Sequence, residues 1–281
     1  MTTVIDCHPT AAKPAPDFEA LKSKQHAAWS SGDYARIGVT LQIVGEELAE
    51  AMDLRAGQKV LDIAAGNGNV TLAAARRWCD VTSTDYVESL LAHGRQRAET
   101  EGLRIDFRVA DAEHLPFEDG SFDAVVSTFG AMFSPSQNST ASEMLRVCKP
   151  GGKIGLANWT PDGFIGQMFR VIGKYLPPPT GVKSPALWGT RVWMDQAFDA
   201  AAAGIVAKPR MFNFRYYSPQ HFLAIFRENY GPLLKAFEAL DASGQEALAS
   251  DILALIGEMN LASDGTMVVP GEYLEVVVTR R

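Results

Sequence analysis

The sequence predicts an α/β fold with a doubly wound, mostly parallel sheet and helices on both faces. Between residues 55 and 160, short apolar segments typical of buried strands alternate with segments of helical periodicity. The first of these strands runs into a turn that contains Gly66 and Gly68. Parallel strands need crossover connections, and right-handed crossovers place helices on both faces of the sheet. Such sheets bind ligands at the carboxyl ends of their strands, so the residues there are the first candidates for function.

The core of this fold is predicted to span residues 55–160. Its strands are predicted at 58–64, 80–85, 104–110, 122–128 and 152–159. Its helices are predicted at 69–78, 87–101 and 137–147. The last of these helices ends before Pro150 and Gly151, because this pair of residues stops a helix.

The N-terminal segment is predicted to begin as a tail and to continue as helices. Residues 1–16 are rich in Pro and Ala, which favours a flexible tail. They lack the basic start and the long apolar core of a signal peptide. No apolar run approaches the ~20 residues that span a bilayer, so we expect a cytoplasmic protein without a membrane span. Residues 17–54 are predicted to form two helices, at 17–30 and 38–53.

The C-terminal part is predicted to leave the sheet and then return to it. Residues 161–262 are expected to form a mainly helical cap, inserted before the last strands, with one strand-like segment at 208–217. The helices of this cap are predicted at 163–176, 218–228, 232–240 and 245–260. Residues 263–281 are expected to supply two C-terminal strands of the core sheet, separated by Pro270.

The composition limits the classes of partner. The chain has 281 residues and a formal charge of −7, without the stripe of Lys and Arg that nucleic-acid binding proteins usually carry. A nucleic-acid partner is therefore disfavoured, and a monomer or homodimer is expected. Cys7, Cys79 and Cys148 are odd in number and far apart, which favours reduced thiols. No pattern of metal ligands is recognised.

The glycine turn alone leaves several ligands open. A dinucleotide site would have a third glycine where Thr71 stands, and a phosphate-binding P-loop would end in Gly-Lys-Ser/Thr, which is absent. The dinucleotide interpretation is therefore weakened, and the P-loop interpretation is removed. A tight strand-to-helix turn that binds no ligand would also explain two glycines.

Acidic residues near the ends of three strands favour a ligand. Asp62 lies in the end of the first predicted strand, Asp85 ends the second, and Asp111 follows the third. A carboxylate at Asp85 can accept hydrogen bonds from both hydroxyls of a ribose. Asp111 can accept from an exocyclic amine while the backbone N–H of Ala112 pairs with a ring nitrogen. Together these residues indicate adenosine.

Several motifs in order resemble one family. "VLDIAAGNG" (60–68), "TSTDYV" (82–87), "VADAEHLPFEDGSFDAVVS" (109–127) and "MLRVCKPGGKIGLANW" (144–159) resemble the motifs of class I S-adenosylmethionine-dependent methyltransferases. The resemblance is greatest to the subgroup of ubiquinone and menaquinone C-methyltransferases. It implies a seven-stranded Rossmann-like sheet, with the N-terminal helices over the cofactor site. Ala64 stands where the family commonly has glycine, and alanine is tolerated at this position if its φ is negative.

The resemblance implies roles for residues that follow the first two strands. Gly66 and Gly68 would let the backbone approach the methionine part of S-adenosylmethionine. Asp62 would orient the methionine ammonium through water. Asp85 would bind the ribose hydroxyls, and Tyr86 would lie against the adenine face. Replacing Asp85 with Ala is expected to weaken cofactor binding while the stability of the fold hardly changes.

The resemblance also implies roles for residues that follow the third and fourth strands. Asp111 and Ala112 would bind the adenine edge. Ser127 and Thr128 would offer backbone carbonyls to the ammonium, and Phe129 would form a wall beside the sulfonium.

The N-terminal helices are expected to contribute a third side of the site. In related enzymes an N-terminal helix closes over the cofactor and meets the methionine carboxylate. Trp29, Tyr34 and Arg36 are the candidates for this contact. An alternative is that Trp29 belongs to the core and that Arg36 is a solvated surface charge.

The predicted function is transfer of a methyl group from S-adenosylmethionine to a small, apolar or aromatic acceptor, with S-adenosylhomocysteine as product. The alternatives are an enzyme that uses the same fold without methylating, and a cofactor-binding regulatory module. The aromatic residues of the cap are candidates for the acceptor pocket: Trp188, Trp193, Phe212, Phe214, Tyr216, Tyr217, Phe222, Phe226 and Tyr230. No general base is assigned, because His93, His114 and His221 stand in no distinctive pattern.

Overall fold

The computed structural model describes residues 17–179 and 181–281, which form a seven-stranded sheet flanked by helices. The strands are β1 (Lys59–Ile63), β2 (Asp80–Asp85), β3 (Asp106–Val109), β4 (Phe122–Thr128), β5 (Cys148–Trp159), β6 (Ala202–Tyr216) and β7 (Met267–Arg280). Their spatial order is β3-β2-β1-β4-β5-β7-β6, with β1 to β5 parallel and β7 antiparallel to both of its neighbours. This architecture confirms the predicted α/β fold class. The predicted tail at 1–16, with Cys7, lies outside the described residues.

Helices cover both faces of the sheet. Their bounds are α1 (Phe18–Trp29), α2 (Ala35–Gly38), α3 (Gln42–Ala51), α4 (Asn69–Arg76), α5 (Glu88–Thr100), α6 (Gln137–Val147), α7 (Phe164–Tyr175), α8 (Arg191–Phe198), α9 (Pro219–Asn229), α10 (Gly231–Glu238) and α11 (Ala242–Met259). On one face Leu48 of α3 and Val70 of α4 pack against Val60 of β1. On the other face Met144 of α6 belongs to the core that contains Val125 of β4. Within the described ranges, no helix combines the length and the apolar character needed to cross a membrane.

The strand order creates a crevice at the carboxyl ends of β1 and β4. The chain builds outward from β1 to β2 and β3, and then crosses back to place β4 on the other side of β1. The connections that leave β1 and β4 therefore run in opposite directions, and ligands bind at such a switch point in open α/β sheets. The fold thus positions the residues that follow β1, β2 and β4 around one opening.

The C-terminal segment differs from the predicted pair of strands. It forms the single strand β7, and its antiparallel partner at the edge of the sheet is β6, which comes from within the predicted cap. Pro270 lies inside β7 opposite Asn213, beyond the part of β7 (273–279) that pairs with β5. A proline is tolerated there because its missing N–H faces no second strand. The insertion is mainly helical, as predicted, and it also supplies the edge of the sheet.

Candidate functional site

A cavity opens at the carboxyl ends of β1, β2 and β4, and N-terminal residues cover it. Nine of the predicted site residues are among the residues that line it: Trp29, Tyr34, Ala64, Gly66, Asp85, Tyr86, Asp111, Thr128 and Phe129. The other five, which are Arg36, Asp62, Gly68, Ala112 and Ser127, are not among the lining residues of the described chain. One cavity therefore collects residues from the motifs at 60–68, 82–87 and 109–127, from the segment that follows β4 and from the N-terminal helices.

The glycine turn forms the floor of the cavity next to β1. Gly66 has φ of 57° and Gly68 has φ of 81°, a left-handed conformation that glycine adopts without steric cost. A Cβ atom added at Gly66 would lie 3.9 Å from Cε1 of Tyr34, so the Tyr34 ring lies directly over the turn. Asn69 at the start of α4 donates its side-chain N–H to the carbonyl of Gly38 at 2.8 Å, which fixes α2 against the turn.

Ala64 adopts a left-handed backbone conformation. Its φ is +50°, so the condition of a negative φ, under which alanine is tolerated without strain, is not met. The left-handed region costs a residue with a Cβ about 1–2 kcal/mol. The backbone of Ala64 packs closely against Gly130, because a Cβ atom added at Gly130 would lie 2.0 Å from the Ala64 carbonyl oxygen. Ala64 therefore stores strain at the entrance to the glycine turn.

We expect Ala64→Gly to raise the free energy of unfolding by up to about 1 kcal/mol, because relief of the left-handed strain outweighs the added flexibility of the unfolded chain. Thermal unfolding measures the change. Ala65→Gly is the matched control, since Ala65 has no positive φ and its replacement should destabilise by about 0.4–1 kcal/mol. Equal losses in the two variants would contradict the strain at Ala64.

Asp85 is a buried carboxylate that binds the glycine turn. Its residue is 4% exposed, and its two oxygens accept hydrogen bonds at 2.9 Å from the backbone N–H groups of Gly66 and Val87. Burial raises the pKa of Asp85 to about 6, so the carboxylate is mainly ionised at neutral pH. The expectation that Asp85→Ala leaves stability almost unchanged needs correction, because the replacement removes the acceptor of two N–H groups.

Asp62 lies beneath the turn instead of in the cavity. It is fully buried, and its Oδ2 accepts a hydrogen bond of 2.5 Å from Thr71 Oγ1 in the first turn of α4. Burial raises the pKa of Asp62 to about 7. Asp62 therefore joins β1 to α4 through Oδ2, while its Oδ1 has no hydrogen-bond partner in the described chain and the predicted water-mediated contact with the methionine ammonium stays a prediction. Thr71, which occupies the place of a third glycine, is the partner of Oδ2.

The segment after β3 forms the far end of the cavity. Asp111 accepts the backbone N–H of Glu113 through Oδ1 at 2.9 Å and the ammonium of Lys22 through Oδ2 at 2.6 Å. Glu113 and Lys22 also line the cavity. Tyr86 lines it from the end of β2 and meets His26 edge-to-face, with ring centroids 5.3 Å apart. Ala112 is not among the lining residues, so only its neighbours on both sides reach the cavity.

The segment after β4 forms a third wall of the cavity, next to the glycine turn and the segment after β3. Phe129 has φ of 57°, and its ring stacks on Trp159 with a centroid distance of 3.9 Å and an interplanar angle of 4°. Thr128 and Phe129 line the cavity. The Ser127 side chain points away from the cavity, because its hydroxyl donates to the Ile63 carbonyl at 2.7 Å and accepts from the Ala131 N–H at 3.0 Å. Ser127 thus joins β4 to β1.

Aromatic rings close the cavity beside the third wall. Trp29 meets Tyr34 and Phe133 edge-to-face, with centroid distances of 5.5 and 5.0 Å. Burial raises the pKa of the Tyr34 phenol, so this group stays a neutral hydrogen-bond donor. Arg36 is exposed and is not among the residues that line the cavity, and its contact with the methionine carboxylate stays a prediction. Trp29 both packs against the core and lines the cavity.

Comparison with known proteins identifies the kind of site. Residues 60–152 match the family model described as "Methyltransferase domain". The chain is 34% identical over 275 residues to an uncharacterised protein of Mycobacterium tuberculosis, covering 97% of this chain and all of the relative. It is 32% identical over 177 residues to the demethylmenaquinone methyltransferase of Thermus thermophilus, covering 59% of this chain and 80% of that enzyme.

The chain belongs to the class I S-adenosylmethionine-dependent methyltransferases. It resembles the quinone methyltransferase subgroup, as the sequence motifs predicted. The fold agrees, since the YcgJ protein from Bacillus subtilis superposes with a TM-score of 0.60 at 19% identity, covering 84% of this chain and 98% of that one. S-adenosylmethionine is the cofactor of this methyltransferase, and a glycine turn next to carboxylates at the ends of β2 and β3 fits a nucleoside linked to an amino acid.

The aromatic residues of the cap lie outside the cofactor cavity of the methyltransferase, three of them (Phe212, Phe214 and Tyr216) line a second cavity, and their role in an acceptor pocket stays a prediction. Most of them are buried in the core, where Phe222 and Phe226 stack with centroids 4.0 Å apart and Phe214 packs against both. In the described chain none of them is among the residues that line the cofactor cavity. The aromatic residues that line the cofactor cavity are Trp29, Tyr34, Tyr86, Phe129 and Phe133.

Sequence reasoning missed several residues of the methyltransferase cavity. Glu113 and Asn67 lie inside motifs that were recognised, so their proximity to Asp111 and Gly66 could have indicated them. Lys22 and Gln25 give no such signal, because α1 has no buried residue and therefore no apolar stripe that would orient it. The three histidines considered as bases are not among the lining residues of the described chain.

Proposed function

We propose that the cavity holds S-adenosylmethionine with adenine at Asp111, the ribose hydroxyls at Asp85 and the methionine part above Gly66. The observation that carries this proposal is that one cavity brings together the glycine turn and the carboxylates that follow β2 and β3. Asp85 uses one lone pair of each oxygen on the backbone, so each oxygen can still accept a ribose hydroxyl. Tyr86 supplies a ring beside the adenine.

The acceptor is proposed to be a small apolar or aromatic molecule. Bound S-adenosylmethionine would supply a methyl group whose bond to sulfur breaks as a bond to the acceptor forms, leaving a neutral thioether and a methylated acceptor that keeps the positive charge or releases a proton to solvent. The main demand is in-line alignment of the three atoms. Trp29 contacts Tyr34 and Phe133, and these three rings form an aromatic part of the cavity lining, whereas the carboxylates of Asp111 and Glu113 lie at the end assigned to the nucleoside. An aromatic wall favours an acceptor with apolar surface.

The proposed enzyme works in the cytoplasm as a monomer or homodimer and has no nucleic-acid partner. The net charge of −7 supports the last point. The buried, unpaired thiols of Cys79 and Cys148 are compatible with a reducing compartment.

Incubation with methyl-labelled S-adenosylmethionine and a library of small molecules tests this function. We expect label in aromatic or apolar acceptors, because these complement the wall formed by Trp29 and Phe133. Phe133→Ala should lower the yield with such acceptors while affinity for S-adenosylhomocysteine changes by less than about threefold, since the Phe133 ring lies at the acceptor end. Transfer confined to nucleic acid or to strongly charged acceptors would contradict the proposal.

A further inference from the structure

Glu113 is a buried carboxylate that connects two ends of the cavity. Its side chain is 4% exposed, and Oε2 lies 3.0 Å from the ammonium of Lys22. Its other oxygen, Oε1, accepts the backbone N–H of Ser136 at 2.7 Å. Lys22 in turn donates to Asp111 at 2.6 Å. One ammonium therefore joins the carboxylate assigned to adenine to a second carboxylate that binds the segment before α6.

The partners of Glu113 belong to separate walls of the cavity. Lys22 lies on α1 and lines the nucleoside end together with Asp111. Ser136 is the N-cap of α6 and directly follows Phe133, Ser134 and Pro135, which line the cavity. Glu113 thus contacts both α1, through Lys22, and the segment 133–136, through Ser136.

The charges of this cluster depend on one another. Within the described residues, Lys22 is the basic side chain that pairs with Glu113. Burial lowers the pKa of Lys22, but the hydrogen bonds to Asp111 and Glu113 outweigh it and the pKa is raised overall, so the ammonium persists at neutral pH. A nearly buried carboxylate that loses its cation is strongly disfavoured. If α1 moves away, the unpaired charge therefore favours movement of the Glu113 side chain toward solvent, and its hydrogen bond with Ser136 is lost.

We propose that Lys22 and Glu113 are positioning residues that couple binding of the adenosine moiety to ordering of the segment 131–136. The inference rests on the proposed placement of adenine at Asp111. A ligand at that end contacts Lys22 and Gln25, so it favours the position of α1 seen here. In that position Lys22 neutralises Glu113, and Glu113 holds the backbone of Ser136. Binding of the nucleoside therefore fixes the position of residues 131–136, which include Phe133 of the proposed acceptor site, before an acceptor binds.

Hydrogen exchange with adenosine as the probe tests the coupling, because adenosine lacks the methionine part that extends toward the acceptor end. In the parent protein, saturating adenosine should slow amide exchange in α1 and, by about fivefold or more, in residues 131–136. In Glu113→Gln the effect on 131–136 should be lost while the effect on the glycine turn remains. The glutamine oxygen still accepts the Ser136 N–H, so a purely structural role would leave the effect intact.

Further variants separate coupling from folding. Lys22→Met leaves Glu113 unpaired and should abolish the effect on 131–136, whereas Lys22→Arg should restore part of it. If Lys22→Met fails to fold, the double variant Lys22→Met/Glu113→Gln removes both charges and should fold without coupling. Lys24→Met, on the exposed side of the same helix, should behave like the parent protein.

The outcomes distinguish this inference from the proposed function. Equal protection of 131–136 in the parent protein, Glu113→Gln and the double variant would overturn the coupling while leaving the adenosine site in place. Failure of the parent protein to bind adenosine or S-adenosylhomocysteine would overturn the placement of adenine, and the coupling with it.

Discussion

Asp85→Ala is expected to weaken binding of S-adenosylhomocysteine by about 2–3 kcal/mol, roughly 30- to 150-fold, because hydrogen bonds to a charged acceptor are the stronger kind. The same change should lower the free energy of unfolding by about 1–3 kcal/mol, since it leaves the N–H groups of Gly66 and Val87 without their acceptor. Calorimetric titration gives the first quantity, and denaturant unfolding gives the second.

Two further replacements make the Asp85 result specific. Asp85→Asn should recover part of both losses, because an amide oxygen can serve one of the two N–H groups. Asp80→Ala removes an exposed carboxylate at the opposite end of β2 and should change both quantities by only a few tenths of a kcal/mol. If Asp85→Ala bound the ligand like the parent protein, or if Asp80→Ala lost as much, the ribose assignment would be wrong.

Gly130→Ala is expected to destabilise the fold by about 1–3 kcal/mol and to weaken S-adenosylhomocysteine binding by about tenfold or more. The added Cβ would lie 2.0 Å from the Ala64 carbonyl oxygen and 2.8 Å from the Ala64 Cβ. Backbone atoms cannot rotate away as a flexible side chain can, so β1 and β4 must separate. Ala64 and Gly130 both line the cavity, and Ala64 precedes the glycine turn. A displacement of these two backbone segments therefore changes the shape of the ligand site.

Gly173→Ala is the matched control for Gly130→Ala. Gly173 lies in α7, and no atom is within 4 Å of its added Cβ. Alanine should therefore stabilise the helix by about 0.5–1 kcal/mol and leave ligand affinity unchanged. Thermal unfolding measures the stability of both variants, and titration with S-adenosylhomocysteine measures their affinity. A Gly130→Ala variant as stable as the parent protein would contradict the close contact between the two strands.

The core of the sheet could be predicted because its signals are local. Apolar runs bounded by Gly, Asp or Pro placed β2 and β4 at their observed bounds. The pairing of β6 with β7 could not be predicted, because it joins residues 202–216 to 267–280 and depends on which faces the helices leave uncovered. Pro270 suggested two separate strands. In the structure it lies inside β7, where β7 pairs with β6 alone and a proline is therefore tolerated.

The site was predictable where a motif combines a backbone signal with a side chain. Gly66 and Asp85 were identified in this way, and a hydrogen bond joins them. Asp62 was assigned to the ligand through water, and the sequence did not reveal that its side chain also accepts a hydrogen bond from Thr71 below the turn. Lys22 reaches the cavity through a tertiary contact that leaves no periodic pattern in α1, so the sequence alone could not reveal it.

We propose that the cavity at the carboxyl ends of β1, β2 and β4 binds both the nucleoside and the amino-acid part of the cofactor. Calorimetric titration of the unmodified protein with S-adenosylhomocysteine, with NAD as the comparison ligand, tests it most directly. We expect one site with a Kd in the micromolar range or tighter, about −8 kcal/mol, and much weaker binding of NAD. The absence of detectable binding of S-adenosylhomocysteine, or a preference for NAD, would contradict the account.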